Sequence, residues 1–235
     1  MKIRIFQKGF NFRQDGPGNR LVYHLQGCNL HCPWCSNPEG ISFSGGQEVD
    51  VAELVDECER SRKLFVNGGG VTFTGGEATC QIEVLSEVVE RLGERGIETA
   101  LETNGTSPGL VRLSPQISWM ALDFKHVDTV RFEAVCGRGF STLEANYAAL
   151  VSLRGQLQVR IPLVNGFNAD DAERFADYFS ARPVGEAVFE FLRYHEFGRN
   201  KWKTPYAVQN GFVNESQVHR FSAAFRRRGL KVVES

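Results

Sequence analysis

Cys28, Cys32 and Cys35 stand four and then three residues apart in the run Gly27-Cys28-Asn29-Leu30-His31-Cys32-Pro33-Trp34-Cys35. Thiols at that spacing can converge on one metal centre from a single short loop. A structural zinc site uses four protein ligands, and a cubane iron–sulfur cluster is ordinarily held by four thiolates. Three thiolates leave one iron of such a cluster open to a small molecule, which is an arrangement for chemistry. The competing reading is a zinc loop or a redox-silent set of thiols, and no fourth ligand of suitable spacing is evident for it. The other cysteines read differently. Cys58 falls on the apolar face of a helical pattern as a small core residue, while Cys80 and Cys136 read as structural or free thiols.

Further polar residues collect at the ends of apolar runs. Gly75-Gly76-Glu77 closes one, and glycine is needed where backbone must approach a ligand closely. The plain alternative is a strand-to-helix turn, with Glu77 favoured by the helix dipole. Asp123 and Lys125 lie two apart at a strand end and so project to one face, either as ligand contacts or as an ion pair. Arg160 on the next strand offers a bidentate donor. His195 follows a later strand, where a lone histidine is more often structural. Asp15-Gly16-Pro17-Gly18-Asn19-Arg20 is at least a turn.

The elements that must carry these residues alternate. Strands are expected at Val22–Gln26, Val71–Thr74, Ile97–Leu101, Ser118–Phe124, Leu157–Leu163, Ala187–Leu192 and Lys231–Val233. Helices are expected from an Asp50 cap to about Lys63, from Ile82 to the Gly93–Gly96 stop, and on the stripes Leu143/Tyr147/Leu150/Val151, Ala172/Phe175/Ala176/Phe179 and Val218/Phe221/Phe225. Asn37 to Gly46 is turn-rich. Such alternation predicts βαβ units and a parallel sheet, and about six units without a composition break predict an open or partial barrel. Functional groups of parallel α/β folds gather at the carboxyl ends of the strands, and the cysteine loop, Gly75-Gly76-Glu77, Glu102-Thr103-Asn104, Asp123-Phe124-Lys125, Arg160 and His195 fall there.

Composition sets the class. With 235 residues, 42% hydrophobic and 23% charged, the chain reads as an ordinary soluble globular protein. A net charge of −1 provides no field to draw it to nucleic acid or an anionic membrane. Arg226-Arg227-Arg228 reads as a solvated helix end. The start lacks a signal-peptide pattern and no run reaches the roughly 20 apolar residues of a membrane span, so a cytoplasmic location is expected, where cysteines are metal ligands or free thiols.

The cysteine loop, Asp15–Arg20, Gly68-Gly69-Gly70-Val71-Thr72-Phe73-Thr74-Gly75-Gly76-Glu77-Ala78, Thr103-Asn104-Gly105, Leu122-Asp123-Phe124-Lys125, and Tyr194-His195-Glu196-Phe197-Gly198 with Lys201-Trp202 occur in that set over nearly the whole chain. Together they resemble the radical S-adenosylmethionine (radical SAM) superfamily and, within it, the activating enzymes of glycyl radical enzymes. The resemblance implies a partial (β/α)6 barrel in one domain, residues 1–235. Residues 1–20 would form an N-terminal strand and partner-binding loop, and 205–235 a C-terminal helical and strand extension.

The resemblance also implies roles. Cys28, Cys32 and Cys35 would hold one [4Fe-4S] cluster whose fourth iron binds the amino and carboxylate groups of S-adenosylmethionine. One electron would cleave the carbon–sulfur bond, and the 5′-deoxyadenosyl radical would take hydrogen from a backbone glycine of a partner enzyme. Gly75 and Gly76 would lie against the methionine end, with Glu77 accepting from its ammonium. Asp123, Phe124 and Lys125 would run along the cofactor, Lys125 and Arg160 would meet its carboxylate, and His195 would touch it. Trp34 and Ser36 would border the adenine, Trp34 offering a stacking face. Glu102, Thr103 and Asp123, with the Ala121 carbonyl, would hold Na+ or K+; Glu102 stands where relatives carry aspartate, and its longer arm would shift that site. Asp15, Gly16, Pro17, Gly18 and Arg20 would grip the partner's glycyl loop.

A flavodoxin or ferredoxin would donate the electron to a monomeric enzyme with no nucleic-acid or membrane partner. Ser36 to Glu48 contains no cysteine, so one cluster is expected where many relatives carry more. Two other readings remain open: a radical SAM enzyme acting on a small molecule, like the carboxy-deazaguanine synthases, and a structural metal-binding module. The former share the cysteine and Gly-Gly-Glu features but lack Asp-Gly-Pro-Gly-x-Arg and Tyr-His-Glu.

Overall fold

Short apolar runs followed by longer amphipathic stretches fold into strands alternating with helices. The computed structural model describes residues 1–233; Glu234 and Ser235, the end of the expected C-terminal extension, lie outside the described residues. Contacts divide the chain into two compact units whose segments interleave in sequence.

The first unit comprises Met1–Asn29, Asn37–Thr103 and Ser107–Met120. Its strands are β1 (Lys2–Phe12), β2 (Asn19–Leu25), β3 (Gln47–Asp50), β4 (Gly70–Gly75) and β5 (Thr99–Thr103), in the order β3-β1-β2-β4-β5. β1 is antiparallel to β2 and β3, while β2, β4 and β5 are parallel. Three helices belong to it, α1 (Val51–Ser61), α2 (Ile82–Glu94) and the single turn α3 (Leu110–Leu113). α1 begins where Asp50 accepts the Ala52 N–H at 2.8 Å, and it buries Leu54, Val55 and Cys58 as the helical period requires. Cys58 is a core residue, its thiol 3.7 Å from the Tyr23 hydroxyl.

The second unit comprises Leu30–Ser36, Asn104–Thr106 and the chain from Ala121 onward. It carries the parallel strands β6 (Trp119–Asp123, entering at Ala121), β7 (Gln158–Leu163), β8 (Val188–Arg193) and β9 (Lys231–Val232), in that order. Its helices are α4 (Thr129–Val135), α5 (Phe140–Leu153), α6 (Ala172–Ser180) and α7 (Glu215–Arg227). Tilted and edge-on aromatic pairs fill the core: Phe179 lies 4.7 Å from Phe189 and 5.1 Å from Phe124, and Phe189 lies 5.0 Å from Phe225. Each such ring contributes roughly 1.5–3 kcal/mol by burial alone. α7 starts with a capping box between Asn214 and Gln217. It ends on the arginine run, where Arg227 pairs with Glu173 and Arg228 with Asp177 at the surface of α6.

Three elements were not expected: the single turn α3, β3 and α4. β3 occupies residues just before the Asp50 cap, with no apolar alternation to announce it. α4 buries only Phe132 and is held by the Asp128 side chain, which accepts the Arg131 N–H at 3.0 Å. Among the described residues no helix is long and apolar enough to cross a membrane.

Candidate cluster and cofactor site

In the first unit, Leu25 of β2 stands opposite Gly75 of β4. The two parallel strands therefore deliver Gly27-Cys28 and Gly75-Gly76-Glu77 at the same end. The Gly76 N–H donates to the Leu25 carbonyl at 2.9 Å and the Glu77 N–H to the Gly27 carbonyl at 2.8 Å. The Cys28 N–H is held by the Ile41 carbonyl at 3.0 Å. A Cβ on Gly76 would fall 2.4 Å from the carbonyl oxygens of Gly27 and Gly40, so only glycine lets these backbones meet. The Gly-Gly-Glu turn is thus bonded to the residue that precedes the first cysteine.

Glu77 is 2% exposed. Its Oε1 accepts from the Thr79 N–H (3.0 Å), the Thr79 hydroxyl (2.5 Å) and the Thr103 hydroxyl (2.7 Å). Expected as an acceptor for an ammonium group, Glu77 is also the cap and brace that joins the ends of β4 and β5, and Oε1 is committed to that task. Glu102, next to Thr103, accepts from the Thr74 hydroxyl at 3.0 Å. Burial pushes the Cys80 thiol up to about 11, which suits a structural residue.

The Asp15–Arg20 segment is held from within. Arg20 is 1% exposed. Its Nε donates to the Thr72 hydroxyl at 2.7 Å, one terminal nitrogen to the Pro17 and Gly68 carbonyls at 3.2 Å each, and the other to the Val71 and Glu98 carbonyls at 2.9 and 3.3 Å. The Thr72 hydroxyl in turn donates to the Asp15 carbonyl at 2.7 Å. The guanidinium is enclosed by the chain's own carbonyls. It shapes the loop, with Gly16 and Gly18 buried, Asp15 half-buried and bonded to the Asn11 side chain, and Pro17 exposed. Burial pushes the Arg20 pKa down to about 10, so it stays cationic at neutral pH.

In the second unit, Asp123 and Lys125 share one face as their spacing requires, with Nζ 2.9 Å from Oδ2. Phe124 between them points the other way, wholly buried among Phe140, Tyr147, Tyr178 and Phe179. Its N–H donates to the Arg160 carbonyl at 2.7 Å. Phe124 was expected along the cofactor; its side chain belongs to the core. Burial works against the Lys125 ammonium, but Asp123 and the Cys32 and Cys136 sulfurs outweigh it and raise its pKa. Arg160 stands in register with Glu190 on β8 and donates to it through Nε at 3.0 Å. Both candidate carboxylate binders, Lys125 and Arg160, thus carry a neighbouring carboxylate that fixes their direction.

The end of the cysteine loop is clamped by the segment after β8. The Trp202 indole N–H donates to the Cys35 carbonyl at 3.1 Å, and a Cβ on Gly198 would stand 2.5 Å from that same oxygen. Trp34 packs on Phe167 with ring centroids 4.8 Å apart. Trp202→Phe keeps the ring and removes the donor. Chemical unfolding should register a loss of about 1 kcal/mol, and an unchanged midpoint would show that the bond does not hold the loop. His195 is exposed, stacks on Phe197 at 4.2 Å and accepts the Phe197 N–H at Nδ1 (3.4 Å), which leaves Nε2 as the protonated donor. Desolvation lowers its pKa, so the ring is neutral at pH 7.

His126, beside Lys125, is fully buried. Its Nδ1 accepts the Asp128 N–H at 2.9 Å and Nε2 faces Asp171 at 3.3 Å. Burial, then Arg131, lower its pKa. The folded chain therefore binds fewer protons here than the unfolded chain, whose histidine titrates near 6.5, and this residue's contribution to stability is lost as pH falls through and below about 6.5. Melting temperature should fall between pH 7.5 and 5.5, and His126→Asn should show a shallower fall; identical slopes would contradict the assignment.

Glu190, Trp202 and Cys136 were not singled out for the site by sequence reasoning. Glu190 was accessible in principle, because period-two alternation on β8 places it on the same face as Arg160 of β7. The roles of Trp202 and Cys136 depend on contacts far along the chain.

Residues 22–179 match the family described as the Radical SAM superfamily. The pyruvate formate-lyase-activating enzyme of Clostridium pasteurianum is 32% identical over 193 residues, covering 80% of this chain and 81% of that protein. That of Staphylococcus aureus (strain USA300) is 32% identical over 203 residues, covering 81% and 80%. Among solved structures, a domain of pyruvate-formate lyase-activating enzyme from Bacteroides vulgatus aligns with a TM-score of 0.59 at 23% identity, over 71% of this chain and 98% of that one. Streptococcus suis SuiB, solved with S-adenosylmethionine, aligns with a TM-score of 0.68 at 12% identity, over 91% and 49%. These likenesses show the radical SAM fold, the α/β partial barrel expected from the alternating elements. The chain belongs to the radical SAM superfamily and, within it, to the family of glycyl radical enzyme activating enzymes. It is a radical SAM enzyme whose family uses a [4Fe-4S] cluster and S-adenosylmethionine and acts on a glycyl radical enzyme. The small-molecule and structural-module readings are not favoured.

Proposed function

We propose that this chain activates a glycyl radical enzyme of the pyruvate formate-lyase kind. The observation that carries this reading is the 32% identity, over four-fifths of both chains, to enzymes named for that activation. The donor set fits the cluster. None of the three loop cysteines is in a disulfide; Cys28 and Cys35 are half-exposed, and Cys32 lies within electrostatic reach of the Lys125 ammonium. Chain reach alone keeps Cys28 within about 25 Å of Cys35 at full extension, and far less across the turns of this loop.

When bound, the cluster and S-adenosylmethionine supply one-electron bond cleavage and the hydrogen-atom acceptor derived from it. The residues position and neutralise. Cys28, Cys32 and Cys35 ligate the irons; the bare backbone of Gly75 and Gly76 admits the methionine end; Lys125 and Arg160 meet a carboxylate; His195 donates through Nε2; Trp34 and Ser36 border the adenine. Asp123 orients Lys125, and Glu102, Thr103 and Asp123 each carry a hard oxygen that suits Na+ or K+. Unchanged turnover when both ions are replaced by a bulky organic cation would remove that cation site. Asp15 to Gly18, shaped by Arg20, meets the partner's glycyl loop. The enzyme works as a cytoplasmic monomer reduced by a flavodoxin or ferredoxin.

Reconstituted without oxygen, the protein should be brown, carry about four irons per chain and release 5′-deoxyadenosine on reduction. A colourless, zinc-loaded protein that stays folded in air would overturn the reading, and an iron content twice as high would overturn the single cluster.

A further inference from the structure

Cys136 is the thiol that the proposed function leaves unused, and the fold sets it against one of the loop cysteines. It closes α4, with its N–H bonded to the Phe132 carbonyl at 2.8 Å. Its own carbonyl accepts the His31 N–H at 2.9 Å, one residue before Cys32. The next residue, Gly137, runs so close that a Cβ there would be 3.1 Å from the His31 ring. The two backbones are thereby tied together. Cys32 is 8% exposed and Cys136 0%, and the two thiols and the Lys125 ammonium lie within electrostatic reach of one another. A disulfide needs two cysteines on backbones a few ångströms apart, and the main-chain bond between His31 and Cys136 holds these two backbones together.

We propose that in the cluster-free protein Cys32 and Cys136 form a disulfide when a peroxide oxidises them. The sulfur of Cys32 attacks one peroxide oxygen, the O–O bond breaks, and one water leaves as a sulfenic acid forms. The Cys136 sulfur then attacks that sulfur, the S–O bond breaks, and a second water leaves. Both sulfurs are oxidised and hydrogen peroxide is reduced. Peroxide is small enough to enter at the slight exposure of Cys32. The bond takes Cys32 away from the metal, so an oxidised chain rebuilds no cluster until a thiol reductant reopens it. That consequence rests on the assignment of Cys32 as a cluster ligand; the bond itself does not.

The test starts from chelator-treated, cluster-free protein exposed to hydrogen peroxide, alkylated, and digested with trypsin without reduction. The peptide Phe132–Arg138 should be recovered joined to the peptide carrying Cys32, with fragmentation placing the bond at Cys32. Recovery of Phe132–Arg138 in alkylated form, or a bond to Cys28 or Cys35 instead, would overturn the proposal. With limiting peroxide the wild type should lose one pair of titratable thiols while Cys136→Ser keeps its own; equal losses would also overturn it. The map is made without the cluster. Failure to load iron before any peroxide is added would therefore count against the proposed function, and failure of the map against this inference alone.

Discussion

Replacing any one of Cys28, Cys32 or Cys35 with alanine is expected to abolish cleavage of S-adenosylmethionine, a loss of about a thousandfold or more, equivalent to ~4 kcal/mol in the barrier. Three protein thiolates are the smallest set that holds a four-iron cluster while leaving one iron open. Two cannot retain it against loss to solvent. The fold should survive the change, because Cys28 and Cys35 are half-exposed and the loop is also held by main-chain bonds, Cys28 N–H to Ile41 and the Cys35 carbonyl to Trp202. Iron content should drop while circular dichroism stays unchanged. Cys58→Ala is the control: it removes a core thiol against Tyr23 and should lower stability by about 1 kcal/mol with iron content intact. Full iron content in a loop variant would mean that another residue supplies the ligand.

Arg20→Ala is expected to cost about 3–5 kcal/mol, the range for removing one partner of a buried charged network. The guanidinium satisfies the carbonyls of Pro17, Gly68, Val71 and Glu98 and orders the Thr72 hydroxyl. Its loss leaves those groups buried and unpaired and frees the Asp15–Gly18 loop. At roughly 2–4 °C per kcal/mol for a chain of this size, the melting temperature should fall by about 10 °C. Arg20→Lys should recover only part of this, since an ammonium cannot reproduce a planar fork of donors. A guanidinium that touched the partner directly would give the opposite pattern, with lost activation at an unchanged melting temperature.

Features with short-range causes were legible in the sequence. The cysteine spacing, the common face of Asp123 and Lys125, the Asp50 cap and the buried stripe Leu54/Val55/Cys58 follow from local periodicity. Features set by partners far along the chain were not. Glu77 reads as a helix-start carboxylate until Thr103 is seen to donate to it. Arg20, charged and beside a turn, reads as exposed until β4 and the Glu98 carbonyl close around it. Phe124 lies between two site residues, yet strand alternation sends its ring into the aromatic core. α4 was missed because seven residues with one buried side chain carry no periodic signal. Cys136 looked like a spare loop thiol, and only the tertiary fold sets it against Cys32.

The radical chemistry of this chain is expected to end on a protein. Anaerobically reconstituted enzyme, a reductant and S-adenosylmethionine, mixed with pyruvate formate-lyase and then with other glycyl radical enzymes, should produce the glycyl doublet in electron spin resonance. The doublet should reside on the partner and be absent when Cys32→Ala replaces the wild type. Release of 5′-deoxyadenosine with no doublet on any such partner would show that this chain does not activate a glycyl radical enzyme.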